Sequence, residues 1–490
     1  TISIGANNWI TTGQTFIPGA GTIIWADTGG GSTLPAAITA YNNLNIATVN
    51  RVATLGVSVT INGDLSLTSG TLAASTFSIA VKGSWFDNGG TFTPGTGSVV
   101  LNGTGSQTIG GSSSTTFNQL AISNVSASVS VAANINVSGT LSVGPGAVVI
   151  PDAAMTINTT AAGTLTGAGT IKVTRTAATA DLLNQYKFTT YSLSGLTVDY
   201  AGEGSQTVNS TLGAYSALTL SGSGTKTLQA AVTNNGALTI GSGVTLADGG
   251  FTLTAKGNVA NTGTHSGAGK VLLAGSAAQT LSGSGSYGNL EVNNAAGVSL
   301  AGSPAVAGVL TLTAGQIVTG AQRLDLGAGA TVVRSGGWVN GTLQKALNTG
   351  SGQTFIYPIG GSVYYRPVAV SNLNVTATGT LSAFVTASIG NHPQIATSGL
   401  NPDKTVLRYW TLTAGSGLAV ANYDATFTFV SSDVSPGADT SRFDVRKWDG
   451  SAWDETSDGV PPSATSTTAT GLSSFSDFAI GEPQASLMLV

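Results

Sequence analysis

Apolar and polar residues alternate in short runs along most of this chain. Val59-Thr60-Ile61, Leu65-Ser66-Leu67 and Leu310-Thr311-Leu312 keep a period of two, the pattern of strands with one buried face. Gly, Asn and Ser punctuate the runs, as expected where the backbone turns. Helical periodicity is nearly absent, and its best stretch is the short segment from Ala180 to Tyr186.

The runs recur at long intervals. An aromatic followed three residues later by Leu appears as Tyr41/Leu44, Phe117/Leu120, Tyr215/Leu218 and Tyr287/Leu290, at spacings of 76, 98 and 72. A G-x-L-x-apolar marker at Gly63, Gly139, Gly236 and Gly308 follows each by 21 or 22 residues. A G-x-G pair precedes strands at Gly19, Gly95, Gly167 and Gly267. Gln107, Gln206 and Gln279 mark a polar turn in three of the units. Residues 1–345 therefore hold about four degenerate copies of one long unit. The 20-residue steps between markers predict a parallel β-solenoid of about 17 coils, each stacked on the next. Leu65, Leu141, Leu238 and Leu310 are expected at equivalent buried positions. A string of antiparallel sandwich modules is the competing architecture.

Near residue 346 the pattern changes. The markers stop after Trp338, Gly341 and Leu343, and charged residues become denser, with 21 in residues 1–345 against 17 in the much shorter stretch 346–490. Asn348 to Gln353 is expected to be a linker. Eight runs follow: 364–370, 380–389, 405–413, 425–430, 443–448, 452–454, 465–471 and 474–481. Their spacing predicts an immunoglobulin-like β-sandwich over 346–490.

Composition narrows the function. The chain has 490 residues, no Cys, and 68 Gly. Disulfides and Cys-ligated metals are excluded. Lys plus Arg is only 17 against 21 Asp plus Glu, which argues against nucleic-acid binding. No apolar run reaches the length of a membrane helix. A start at Thr1 without Met or a basic, apolar leader is expected of a mature, exported chain after signal-peptide removal.

The segments GTFTPGTG, SVVLNGTGSQTI, FNQLAISN, GGWVNGTL, FIYPIG, YYRPV, RYWTLT, KWDGSAWDE and LSSFSDFAIG resemble those of large secreted β-strand-repeat proteins of bacterial surfaces. The resemblance spans most of the chain and rests on turn and core residues. It implies an adhesin-like or surface-anchored protein. The chain departs from many such proteins in showing no obvious sorting domain after the sandwich.

The acidic residues are the place to look for a reaction centre, since β-helices also host polysaccharide lyases and hydrolases. Asp199 and Glu203 are close in sequence, and Asp64 and Asp87 lie about one coil apart. Isolated turn carboxylates are the plainer reading. His265 and His392 fall in different domains, and each is expected at the surface. Asp248 begins a faint calcium-turn motif, and Asp444, Asp449, Asp454, Glu455 and Asp458 form a candidate calcium cluster, read as a solvated hairpin. Trp9, Trp25 and Trp85 are candidates for a sugar-stacking strip, against a place in the core. No catalytic, cofactor-binding or metal residue is assigned, and no enzyme activity or cofactor is expected.

The expected function is structural: an extracellular subunit of a bacterial surface filament or fibre, its partner another copy of itself. An adhesin binding surface glycans is the alternative. Candidate assembly residues are Ile2 and Ile4 in the first strand and Leu487, Met488, Leu489 and Val490 in the apolar tail. The tail is expected to add as a strand to a neighbouring subunit.

Overall fold

Parallel strands stacked coil on coil account for most of the protein, seen here in a computed structural model that describes residues 2–4, 16–27, 29–176, 179 and 181–484. The fold is all-β, 55% strand and 3% helix, a parallel β-solenoid of about 17 turns among the described residues. The structural repeat is thus the single coil and not a fourfold unit. The chain forms two compact units, Thr1–Phe251 and Thr252–Val490.

In the first unit the alternation works as expected. Val59, Ile79, Val99, Leu120, Leu141 and Leu165 are direct ladder partners, one per coil, and all are buried. A second column runs through Ile23, Leu44, Leu65, Trp85, Ile109 and Val131. Each apolar side chain rests on the one below, so the core is continuous while the polar residues between face outward. Successive strand partners lie between 18 residues apart (Leu253 and Val271) and 27 apart (Ile171 and Val198).

Leu65, Leu141, Leu238 and Leu310 are all fully buried. They are not equivalent, however: Leu65 and Leu141 belong to different sheets. Coils of unequal length let the sequence markers slip around the solenoid, so a marker repeated in sequence need not stack in space. At corners the stacking is tight. Gly95 (φ +56°) sits over Ser75 (φ 56°), and a Cβ at Gly95 would lie 1.9 Å from the Ser75 carbonyl oxygen. Only glycine combines that left-handed backbone with that approach. The expected helical stretch is one short helix, Asp181–Gln185.

The second unit also begins with parallel coils. Leu253, Val271, Leu290, Leu310 and Val332 form its apolar column. The strand Trp338–Leu347 is the changeover: it pairs in parallel with Gln316–Leu326 and antiparallel with Gly379–Val385. Beyond it, among the described residues, every strand pair except one is antiparallel. One sheet continues through Gly379–Val385, Leu400–Gly415, Asp477–Pro483, Asp444–Trp448 and Trp453–Glu455. The other orders Gly350–Tyr357, Val368–Ala377, Tyr423–Thr428, Ser466–Leu472 and Ser457–Asp458. Trp410 and Phe478 of the first meet Phe427 of the second at 5.5 and 4.9 Å between ring centroids. All eight runs expected here contain strand. Asn348 to Gln353 is not a linker throughout, because a strand begins at Gly350; Gly350 and Gln353 find partners in Val375 and Leu373. Among the described residues no helix is long and apolar enough to cross a membrane.

Candidate functional site

Polar side chains inside the solenoid follow one recurring plan. Gln107, Gln206 and Gln279 are buried, and each amide brackets neighbouring coils. The Gln107 Nε2 donates to the carbonyls of Val81 and Gly83, while its Oε1 accepts from Gly103 N at 2.9 Å and Asn124 Nδ2 at 3.0 Å. Gln279 repeats this with Ala255, Gly257, Gly275 N and Asn294 Nδ2. Gln206 repeats it with Val173, Arg175 and Gly202 N. Its fourth partner differs. The fully buried Lys226 stands over Gln206 on the ladder and donates to Oε1 at 2.7 Å, and to the carbonyls of Gly202 and Gly204. Asn124 and Asn294 reach the matching carbonyls, Gly105 and Ala277. Lys226 therefore does with an ammonium what two corner asparagines do with an amide. Burial pulls its pKa down to about 8, against the upward pull of Glu203, Asp199 and Asp181.

In the sequence these glutamines stand out only as turn markers. A glycine four residues earlier, Gly103, Gly202 and Gly275, is the signal that could have shown them as brackets, since its N–H is the one each Oε1 accepts.

The acidic candidates are dispersed into turns and ladders. Asp64 lies opposite Ser84 and accepts its N–H at 2.7 Å, whereas Asp87 pairs with Leu67, so the two carboxylates are not brought together. Asp87 is buried beside Thr115, which also accepts from the Trp85 indole. Burial raises the Asp87 carboxyl above the usual range, with the Thr115 hydrogen bond opposing it. Asp199 pairs with Lys172 at 3.3 Å and accepts from Ser221, while Glu203 bridges Ser223. Asp248 caps its turn through Gly250 N. In the candidate calcium hairpin, Arg446 takes Asp444 and Glu455, Lys447 takes Asp454, and Asp449 caps the turn. Trp25 and Trp85 lie in the core rather than on a strip, and Trp9 lies outside the described residues. Of the assembly candidates, Ile2 and Ile4 lie in a strand paired with Thr22–Trp25; Leu487, Met488, Leu489 and Val490 lie outside the described residues.

Both histidines are buried, contrary to the surface placement expected of them. His265 packs on Tyr287. His392 is enclosed by Tyr409 and Trp453, whose ring centroids lie 4.8 and 4.9 Å away, and by Trp448. Its Nδ1 accepts from Gln394 N, so the proton sits on Nε2, which faces Asp477 at 3.2 Å.

Two features went unseen in the sequence. The first is a buried ion triad. Arg366 grips Asp433 with two hydrogen bonds of 2.6 and 2.7 Å, and Arg408 adds a third at 3.2 Å. Burial acts to raise the Asp433 carboxyl, but the hydrogen bonds and charge of Arg366, then Arg408, outweigh it and hold it below the usual carboxylate range. Arg366 and Asp433 are 67 residues apart, and nothing in a local pattern links them.

The second is a cleft of about 560 Å³ lined by Ala330, Val332, Lys345, Leu347, Phe355 and Leu373 among others. Its walls include two edge strands. Thr331–Arg334 is the last strand of its parallel sheet, and Gly350–Tyr357 is the first of the second antiparallel sheet. Lys345 caps the carbonyls of Gly327 and Ala328 at 2.6 and 2.7 Å, with its amine 5.5 Å from the centre of the Phe355 ring.

The chain matches no protein-family model, and neither the curated proteins nor the solved structures give a match.

Proposed function

We propose that this chain is an extracellular structural protein, a subunit of a bacterial surface filament or fibre joined head to tail, with the antiparallel sheets acting as an immunoglobulin-like terminal domain. The reading rests chiefly on how the solenoid uses its polar groups. Gln107, Gln206, Gln279, Lys226 and Asp64 each bind backbone of a neighbouring coil. Groups that a catalyst would aim at a substrate are used here to hold coil to coil, a design suited to stiffness over length. A bacterial origin, export and a non-enzymatic role complete the proposal. Electron microscopy of the purified chain tests it: filaments are expected, and dispersed particles at every concentration would count against it.

A second reading, a glycan-binding adhesin, is favoured by one observation. Tyr409, Trp448 and Trp453 gather around His392 as partly exposed rings, and such surfaces stack on sugar faces. A glycan array of the wild type and Trp453→Ala separates this reading from the first.

A further inference from the structure

The cleft beside Lys345 lies where a β-sheet stops without being closed. In the second unit the apolar column Leu253, Val271, Leu290 and Leu310 is fully buried, but its last member, Val332, is only half-buried. Arg334 stands where Leu312 stood one coil earlier, and Val333 is 55% exposed. The solenoid's other sheet is continued by the antiparallel strands through Trp338–Leu347. This one is not. Among the described residues, Thr331–Arg334 pairs only with Val309–Ala314, and Gly350–Tyr357 only with Val368–Ala377. Two rows of strand N–H and C=O groups without a strand partner thus flank one cleft. Its floor is Leu347, Phe355 and Leu373, and Ile356, 53% exposed, is at its rim. An open edge over apolar side chains is a template for another strand.

We propose that the cleft receives residues 485–490 of a second copy of this chain as an added strand. The inference rests on the self-assembling reading above and names the acceptor for it. Residues 485–490, Ala-Ser-Leu-Met-Leu-Val, carry no charge, no Gly and no Pro. In an extended strand Leu487 and Leu489 fall on one face, positioned to continue the column that ends at Val332.

Reach selects a second copy over the chain's own tail. The cleft lies at one end of the first antiparallel sheet: Leu347 pairs with Gly379, and its neighbour Thr380 pairs with Gly415. The tail leaves at the other end, where Pro483 pairs with Leu400 and Gln484 N donates to Gly399 O. Between Leu400 and Gly415 runs a strand of 16 residues, roughly 50 Å at ~3.3 Å per residue. Six residues span at most ~20 Å. The segment falls well short of its own cleft.

The absence of Cys makes the test direct. Two full-length single-cysteine variants, Leu489→Cys and Ile356→Cys, are mixed under oxidising conditions, with Val49→Cys, exposed in the first unit, replacing Ile356→Cys as control. The expected result is a disulfide joining position 489 of one copy to position 356 of another, mapped by mass spectrometry, and none with the control. Excess unmodified protein should suppress it, and so should the same protein lacking 485–490, which keeps the cleft and captures the Leu489→Cys segment. A Leu489→Cys/Ile356→Cys double variant that closes within one chain at high dilution would overturn the second-copy assignment. Oligomers by light scattering without the 489–356 bond would overturn the cleft and leave self-assembly standing. A closed, reciprocal dimer bearing the bond would uphold the cleft and sink the fibre. A protein that is monomeric throughout would sink both.

Discussion

Lys226 stands directly over Gln206 on the parallel ladder, and its ammonium donates to the Gln206 carbonyl oxygen at 2.7 Å in the sealed interior of the solenoid. The equivalent ladder position above Gln107 is Val129, and above Gln279 it is Val298. In those coils the fourth partner comes from a corner asparagine instead. The protein therefore builds one bracket in two ways, and only one of them carries a charge.

That charge gives stability a pH dependence of definite sign. Burial lowers the Lys226 pKa from 10.5 to about 8, so over that interval the unfolded chain holds a proton that the folded chain has released. Stability must then rise with pH between about 8 and 10.5. The drop corresponds to roughly 3 kcal/mol of penalty on the charged form at neutral pH. Lys226→Met removes the penalty but strips a donor from Gly202 O, Gly204 O and Gln206 Oε1, a loss of about 1–3 kcal/mol. The two effects are of similar size, so stability at pH 7 is expected to change little and the slope is the readout. Urea midpoints from about pH 7.5 to 9.5 should climb in the wild type and climb less steeply in Lys226→Met, where the Lys345 amine, also held below its ordinary pKa by burial, still contributes. The range stops there because buried tyrosines act the other way. Burial holds the Tyr200 and Tyr423 phenols well above their ordinary pKa, so their contribution is lost as pH rises beyond about 10. An identical slope in the two proteins would remove Lys226 as its source.

The neutral brackets make a simpler prediction. Gln279→Leu leaves Ala255 O, Gly257 O, Gly275 N and Asn294 Nδ2 each short of a buried partner. A single unsatisfied buried group costs about 1–3 kcal/mol, so a total loss of at least ~2 kcal/mol is expected in denaturant unfolding. Gln322→Leu at an exposed position should stay within about 0.5 kcal/mol. Equal effects would show that the bracket contributes nothing beyond packing.

Asp433 should be the most sensitive charged residue of the antiparallel sheets. Asp433→Asn leaves the buried Arg366 and Arg408 without their anion, a change expected to cost about 3–5 kcal/mol at pH 7. Its folded pKa lies below the unfolded value, so the stabilisation is complete above about pH 4 and fades as pH falls through the lower folded pKa. Acid titration followed by tryptophan fluorescence should show a wild-type loss at low pH that is weaker in Asp433→Asn. A substitution neutral at pH 7 would mean that the arginines find other partners.

What was legible in the sequence follows from interaction range. Period-two runs and the 20-residue steps are local or nearly so, and they pointed to the solenoid, its coil length and the burial of Leu65, Leu141, Leu238 and Leu310. The phase of the coils was not legible, because the length of each coil sets which face Leu65 or Leu141 reaches. Pairings over long separations were also hidden. Arg366 with Asp433, and His392 with Asp477 85 residues later, meet only after the sheets assemble. The glutamines lay between these cases: their recurrence was visible, but their burial was not.

The open end of the apolar column yields the last prediction. Leu310 and Val332 are consecutive members of that column, paired directly across neighbouring strands. Leu310 has a coil on either side and is fully buried, so Leu310→Ala leaves a walled cavity and should cost about 2–5 kcal/mol. Val332 has a neighbour on one side only and borders the cleft, where the lost methyls leave space already open to solvent. Val332→Ala should therefore cost no more than about 1 kcal/mol, close to the transfer of its partly exposed methyls alone. Both figures refer to dilute, unassociated protein. At concentrations where copies associate, a strand laid over Val332 would bury it, and its substitution should then weaken association in sedimentation velocity while Leu310→Ala, measured below its unfolding temperature, should not. Equal stability losses at the two positions in dilute solution would show that the column is closed at Val332.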